Sequence, residues 1–179
     1  MNEINISKID QDILDIFDDM IKLRRHIHSH PEVGPEQPNT VKYVKEQFEG
    51  LKDVVITQGD EKAGMVIDIL CEDSGPTIAF RADMDALEIT ESTSSDHFPT
   101  QNNFCSKYEN KMHACGHDTH TAILISFGKL IYKYRKQLKG KIRLLFQPGE
   151  EGFAGANQMV KAGYLDGVEK VFALHSWPT

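Results

Sequence analysis

Three short apolar runs of this chain each lead into side chains that bind metals or move protons. The runs are residues 77–80, 142–146 and 171–174, and they precede Asp83 with Asp85, Glu150 with Glu151, and His175. Helical patterns separate the later runs, and strands that alternate with helices form sheets whose parallel carboxyl ends share one edge. The sequence therefore predicts an α/β fold, with a mostly parallel sheet sandwiched by helices and one site at its edge.

The spacing of apolar residues predicts the other elements. Helices are expected over residues 9–28, from 39 to about 50, 119–134 and 154–162, and strands over 54–57, 65–70, 77–80, 141–146 and 171–174. Asn39 and Thr40 are candidates to cap the second helix. The polar region 89–111 is expected to be a long irregular loop, a kind of segment that is often functional.

Composition excludes several classes of function. A formal net charge of −7 argues against nucleic-acid binding, because phosphate recognition needs a basic surface. No apolar run approaches the length of a membrane span, and the first residues lack the pattern of a signal peptide. Cys71, Cys105 and Cys115 cannot all pair, and Cys71 is expected to be a small buried side chain. We therefore expect a cytoplasmic protein without a membrane partner.

One glycine separates Cys115 from His117, so both side chains can point to the same side of a bent loop. Thiolate and imidazole suit zinc and its first-row neighbours better than magnesium or calcium. An isolated Cys-x-His is more often a buried cysteine beside a structural histidine, but His113, Asp118 and His120 crowd the same eight residues. Asp118 is a candidate to orient His117 by accepting its second ring N–H. This density favours a metal site.

Glu150 and Glu151 follow a Gln-Pro-Gly turn directly after a strand, which is an unusual position for a merely solvated acidic pair. Adjacent side chains point in different directions, so one carboxylate can bind a metal while the other exchanges protons with water. Asp83 and Asp85 can point the same way from an extended segment, and Asp85 is a candidate to support a ligand or the general base. His175 alone would more often be a core histidine than a ligand.

Alternating histidines also occur before the first predicted strand, at His26, His28 and His30. The stretch begins on a helix, where residues two apart do not share a face. We interpret it as a helix end with structural hydrogen bonds rather than as a metal site.

Together these motifs resemble the M20 family of metallopeptidases, in the amidohydrolase branch that includes hippurate hydrolases, N-acyl-amino-acid amidohydrolases and auxin-conjugate hydrolases. The matching segments lie in the family's order at residues 24–32, 81–87, 113–118, 146–152 and 174–178. Gly149 departs from the family's usual alanine, and we expect it to loosen the turn.

The resemblance implies a role for each candidate residue. By this resemblance, the metal ligands are Cys115, His117, Glu151 and His175. The general base and acid is Glu150, and the carboxylate that supports the metal site is Asp85. It also implies two divalent metal ions, for which manganese, zinc, cobalt and nickel are known across the family, and hydrolysis of the amide bond of N-acyl amino acids.

Family members are about twice as long as this chain. Residues 1–179 are therefore expected to be the first lobe of a zinc-peptidase-like catalytic domain, without the lid and dimerisation domain and without the C-terminal catalytic segment. We expect weak or absent turnover from this chain alone. One alternative is a non-catalytic metal-binding remnant whose partner is a complementing C-terminal half or a second copy. Another is thiol chemistry, with Cys115 as the nucleophile.

Overall fold

The computed structural model describes residues 6–177, except for the side chain of residue 61. Three helices come first, three strands follow, and helices then separate the last two strands. The elements are α1 (Ile6–Asp15), α2 (Phe17–Ser29), α3 (Pro38–Glu46), β1 (Val54–Gln58), β2 (Met65–Leu70), β3 (Asp73–Asp83), α4 (Phe98–Gln101), α5 (His117–Tyr134), β4 (Lys139–Gln147), α6 (Gly155–Lys161) and β5 (Val168–Ala173). Among these elements, no helix is long and apolar enough to cross a membrane.

The five strands form one sheet in the order β1-β2-β4-β3-β5. β3 pairs in parallel with β4 and with β5, whereas β2 pairs antiparallel with β1 and β4. The predicted α/β class is confirmed, and the parallel pairs lie where helices connect the strands. β1 and β2 are joined by a short turn, which permits only antiparallel pairing. The carboxyl ends of β3, β4 and β5 consequently meet at one edge, where Asp83 lies opposite Gln147.

Side chains alternate between two apolar cores, one on each face of the sheet. Met65 and Ile67 of β2 face the core built with α2, α3 and α5. Val66 and Leu145 face the other side, where Met159 of α6 covers them. Because both faces of β2 are covered, its sequence is a nearly continuous apolar run, which is the pattern that predicted the strand.

The N-terminal helix expected over residues 9–28 is two helices. They meet at Ile16, whose backbone ψ of −2° marks the junction. The apolar periodicity continues through this junction, so it could not reveal the break. Leu14 belongs to this apolar periodicity and is nevertheless 67% exposed.

The predicted cap of the second helix is also wrong, because α3 begins at Pro38 and neither Asn39 nor Thr40 caps it. The carboxylate of Glu32 instead accepts the backbone N–H groups of Asn39 at 3.2 Å and Thr40 at 2.7 Å. An acceptor from outside the helix thus satisfies its first free donors.

The region after β3 is irregular, as expected, apart from the single turn of α4. Glu91 anchors it, because this buried carboxylate lies 2.9 Å from Nε2 of His28 and 2.9 Å from Nε2 of His97. Nδ1 of His28 in turn lies 2.9 Å from Oδ2 of Asp118. His28 therefore has a structural hydrogen-bonding role, in agreement with the interpretation of the histidine-rich stretch.

Candidate metal centre

The residues predicted to carry chemistry meet at the carboxyl edge of the sheet. Ligand atoms of Cys115, His117 and Glu151 all lie within 4.8 Å of one another. Nε2 of His175 approaches Sγ of Cys115 to 3.6 Å. The fold thus brings together the four side chains that the sequence suggested as ligands.

The loop that carries Cys115 depends on Gly116. This glycine has a φ of +85°, a left-handed conformation that L-residues with side chains adopt at a cost. A Cβ at this position would lie 2.5 Å from Oγ of Ser176. Gly116 therefore allows the chain to turn into α5 while the segment after β5 packs on top of it, and His117 begins the helix fully buried.

Asp85 connects the two halves of the site. Its Oδ2 accepts the backbone N–H of Glu151 at 2.9 Å, which fixes the turn after β4. Its Oδ1 lies 3.3 Å from Nδ1 of His117, an ion-pair contact without hydrogen-bond geometry. Burial acts to raise the pKa of Asp85, but His117 and the backbone N–H groups of Glu151 and Glu150 outweigh it, so the pKa lies below its ordinary value.

Asp118 does not orient His117, so that expectation is wrong. Oδ2 of Asp118 instead accepts a hydrogen bond from Nε of Arg24 at 3.1 Å and pairs with His28. The reason is that residues 117 and 118 lie in a helix, where successive side chains point about 100° apart. The carboxylates beside His117 are those of Asp85, at 3.3 Å, and Asp83, at 3.7 Å.

His120 also belongs to the site, although the sequence analysis assigned no role to it. It is buried, and its Nδ1 lies 2.6 Å from Oδ1 of Asp83. Ligand atoms of Asp83, His117, His120 and His175 form a second group within 4.8 Å. The three-residue spacing of His117 and His120 was the available signal, because such residues share a helix face.

Buried polar atoms without partners show that these residues fit a cation. Oδ1 of Asp85 and both ring nitrogens of His117 are buried and have no hydrogen-bond partner. Such groups are rare in folded proteins because desolvation without compensation is costly. A donor set of thiol, imidazole and carboxylate is the chemistry that zinc and other first-row divalent ions prefer.

The environment of Cys115 disfavours a thiol nucleophile. Burial and the nearby carboxylate of Glu151 raise the pKa of Cys115 to about 11. The thiol is therefore protonated near neutral pH, whereas reactive cysteines have lowered pKa values. Binding of a cation would displace this proton, since the thiolate is the form that ligates metals.

Gly149 adopts a φ of +57°, and a Cβ there would lie 2.9 Å from Cβ of Phe153. Glycine is therefore the residue that suits this backbone best, and the expected loosening of the turn stays a prediction. Glu150 follows it and is exposed beside the ligand cluster, while Glu151 is partly buried within it.

Fold and site define an α/β protein with a candidate metal centre at the carboxyl edge of its sheet. The sequence profile of peptidase family M20/M25/M40 matches residues 79–179, and the chain belongs to this family, which confirms the resemblance drawn from the motifs.

Individual relatives agree with this assignment. N-acetyl-L-cysteine deacetylase of Bacillus subtilis is 40% identical over 177 residues, which are 99% of this chain and 39% of that protein. IAA-amino acid hydrolase ILR1-like 5 of Arabidopsis thaliana is 41% identical, over 90% of this chain and 35% of its own length. The crystal structure of a dinuclear metal-binding peptidase of the M20 family from Bacillus subtilis superposes with a TM-score of 0.80 at 39% identity, covering 90% of this chain and 43% of that one. The chain thus spans about two fifths of the length of these relatives.

Proposed function

We propose that residues 1–179 form the N-terminal part of the catalytic domain of a metal-dependent amidohydrolase, which in complete form cleaves the amide bond of N-acyl amino acids. The observation that carries the proposal is the convergence of Cys115, His117 and Glu151 within 4.8 Å at the carboxyl edge of the sheet. Two relatives whose names give N-acetyl-L-cysteine and an IAA-amino acid as their substrates support this substrate class.

In this proposal, Cys115, His117, Glu151 and His175 hold two divalent ions, and the dinuclear metal-binding relative supports this number. Manganese, zinc, cobalt and nickel are the candidates, and the thiol favours zinc or nickel. Such ions, when bound, polarise an amide carbonyl and make water more acidic. Two further residues of this chain have roles in the proposal: Glu150 transfers protons, and Asp85 keeps the ligand residues in position.

Glu150 is the general base and acid of this proposal. It is exposed beside the cluster, where its carboxylate can take a proton from water and return it to the departing amine nitrogen. Asp85 keeps the ring of His117 and the backbone of the 150–151 turn in place through its two oxygens. A small N-acyl amino acid is the expected partner, in keeping with the acidic net charge that disfavours nucleic acid.

The edge strand β5 supports the view that this lobe works with further polypeptide. Val171, Phe172 and Leu174 are each about half exposed, at 48%, 51% and 53%, and Trp177 is 84% exposed. An exposed apolar edge strand is normally covered or paired in a stable protein. We propose that a segment equivalent to the remainder of the longer relatives pairs with β5 and completes the domain, either as a complementing half or within a homo-oligomer.

Hydrolysis of N-acetyl amino acids and hippurate tests this proposal. The chain alone should show weak or absent turnover, and addition of the remaining part of a full-length relative should raise the rate. A Glu150→Gln chain is the matched control, because it keeps the turn and removes the proton carrier. Turnover by the chain alone at the rate of complete relatives would overturn the incomplete-domain proposal. A Glu150→Gln chain that reaches the same rate as the parent chain after the remaining part is added would overturn the role of Glu150.

The second candidate function is a metal-binding assembly partner without catalytic activity, which the exposed apolar surface of β5 also favours. It predicts metal binding and a stable complex with the complementing segment, but no amide hydrolysis in the complex. The same assay therefore separates the two functions.

A further inference from the structure

Both ring nitrogens of His120 are engaged by the protein. Nε2 accepts the backbone N–H of Ser176 at 2.9 Å, so this nitrogen carries a lone pair. The hydrogen-bond network therefore assigns the ring proton to Nδ1, which donates it to Oδ1 of Asp83 at 2.6 Å. The arrangement leaves no ring nitrogen of His120 free for a cation.

The residue that contacts Nε2 of His120 is Ser176, which directly follows His175 in the chain. Oγ of Ser176 lies 3.1 Å from Nε2 of His120 and also donates to the carbonyl oxygen of Cys115 at 3.2 Å. β5 ends at Ala173, so the exposed segment after it has left the hydrogen-bond ladder of the sheet. Ser176 thus ties this segment to α5 and to the loop that carries Cys115.

Asp83 gives His120 a rigid support. The aspartate is fully buried at the end of β3, an internal strand of the sheet. Its backbone carbonyl accepts the hydroxyl of Thr121 at 2.9 Å, and Nη1 of Arg81 lies 2.8 Å from its Oδ2. Arg81 also donates from Nε to Gln147 of β4 at 2.9 Å. The line of contacts from Asp83 through His120 to Ser176 therefore starts from two strands of the sheet.

The result of these contacts is the placement of His175. Its ring centroid lies 4.6 Å from that of His120, and its Nδ1 lies 2.5 Å from the carbonyl oxygen of Ser176. Donation from Nδ1 to this carbonyl leaves Nε2 with its lone pair, on the side that faces Sγ of Cys115. Partners of this kind fix the tautomer and orientation of histidines that bind metals.

We infer that His120 is a positioning residue that, with Ser176, holds His175 against Cys115, and that His120 is not itself a metal ligand. The inference rests on the proposed metal centre and adds to it a division of labour among neighbouring histidines. A ring nitrogen of His120 lies within 4.8 Å of ligand atoms of Asp83, His117 and His175. A role for His120 as a metal ligand is therefore the alternative that the experiments below must exclude.

Nitrogen NMR of the histidine rings tests the assignment directly, with Zn²⁺ as the probe. The chain is labelled with ¹⁵N-histidine, and the signals of His120 are identified by their loss in a His120→Asn variant. We expect His120 to show a protonated Nδ1 and an acceptor Nε2 both before and after zinc is added, while the ring signals of His117 and His175 shift. A zinc-induced change of His120 to a metal-bound nitrogen would overturn the inference.

Zinc affinity gives an independent measurement. Removal of a residue that orients a ligand typically weakens metal binding by about 10- to 100-fold, and we expect this loss for His120→Ala with an unchanged number of ions per chain. His120→Gln should recover part of the affinity, because its amide oxygen can accept the N–H of Ser176. Ser126→Ala, a change at a buried serine on the same helix, is the control and should leave zinc affinity unchanged.

Ser176→Ala keeps the test valid if the His120 variants fail to fold, because Ser176 is exposed and lies outside the core. This variant loses the hydrogen bond from Oγ of Ser176 to the carbonyl oxygen of Cys115, and we expect zinc binding to weaken by several fold. Parent-like zinc affinity in both His120→Ala and Ser176→Ala would overturn the inference while leaving the metal centre intact. Absence of zinc binding in the parent chain would instead overturn the metal centre, and the inference with it.

Discussion

Sγ of Cys115 lies 3.6 Å from Nε2 of His175, although sixty residues separate them in the chain. This proximity requires β5 to lie beside β3 in parallel, with Arg81 opposite Ala173. It also requires Gly116 at the turn into α5, since a side chain there would collide with Ser176. Sheet topology and a single glycine thus bring a thiol and an imidazole to the same point.

Gly116→Ala should disturb both stability and metal binding. The new Cβ would be strained by the φ of +85° and would lie 2.5 Å from Oγ of Ser176, so we expect a loss of about 2 kcal/mol in the free energy of unfolding and weaker zinc binding. Urea denaturation and zinc titration measure the two effects.

Gly167→Ala is the control for that experiment. Gly167 has a φ of +72° but no atom within 4 Å of an added Cβ, so it tests backbone strain without a clash. We expect a loss of about 1 kcal/mol and unchanged zinc affinity. Equal effects of the two substitutions on zinc binding would contradict the proposed packing of Ser176 on the loop.

Asp68→Ala should destabilise the sheet. Both carboxylate oxygens of Asp68 accept hydrogen bonds from Arg143, at 2.7 and 2.8 Å, in a largely buried pair between β2 and β4. Removal of one partner leaves a charge poorly compensated, and we expect a loss of about 2–3 kcal/mol by urea denaturation. Asp73→Ala breaks an exposed pair with Lys139 and should cost less than about 0.5 kcal/mol. Similar losses of stability in both variants would show that burial does not determine how much these ion pairs contribute to the free energy of unfolding.

His28 should make stability depend on pH. Burial acts to lower the pKa of His28, but its hydrogen bonds with Asp118 and Glu91 outweigh this effect and raise the pKa above its ordinary value. A raised pKa stabilises the fold fully below the unfolded value of about 6.5, and this contribution is lost as the pH rises through the folded value. The pKa values of Asp118 and Glu91 are lowered despite their burial, so their contributions are lost only in acid.

Urea denaturation of the parent chain and a His28→Gln variant measures this dependence. The stability difference should be greatest between about pH 5 and 6.5 and should shrink toward alkaline pH. His30→Gln, outside the Asp118 and Glu91 contacts, is the control. A difference that grows as the pH rises would contradict the assignment of a protonated His28.

The local pattern of apolar residues predicted the bounds of individual strands and helices better than it predicted how these elements pair. The apolar run of β2 gave its bounds of Met65–Leu70, because both faces of this strand are buried. The direction of β2 was beyond the sequence argument, since it depends on pairing with β4 more than seventy residues later. The break at Ile16 was missed because the helical periodicity runs through it.

The sequence suggested which side chains lie close together where a strand end carried an unusual residue, as at Asp85, Glu151 and His175. The wrong choice of Asp118 as the partner of His117 has a geometric cause, because the helix begins at His117 and turns the next side chain away. His120 and Ser176 received no role because each acts through a contact 37 or more residues distant along the chain. Such contacts exist only in the folded state.

Absorption spectroscopy of the Co²⁺-loaded chain is the most direct test of the metal centre. Co²⁺ bound by a thiolate shows an intense charge-transfer band, and we predict this band in the parent chain, in Cys71→Ala and in Cys105→Ala, but not in Cys115→Ala. His175→Ala should weaken Co²⁺ binding, because its Nε2 faces the same sulfur. A parent chain without the band, or a Cys115→Ala chain that retains it, would contradict the account.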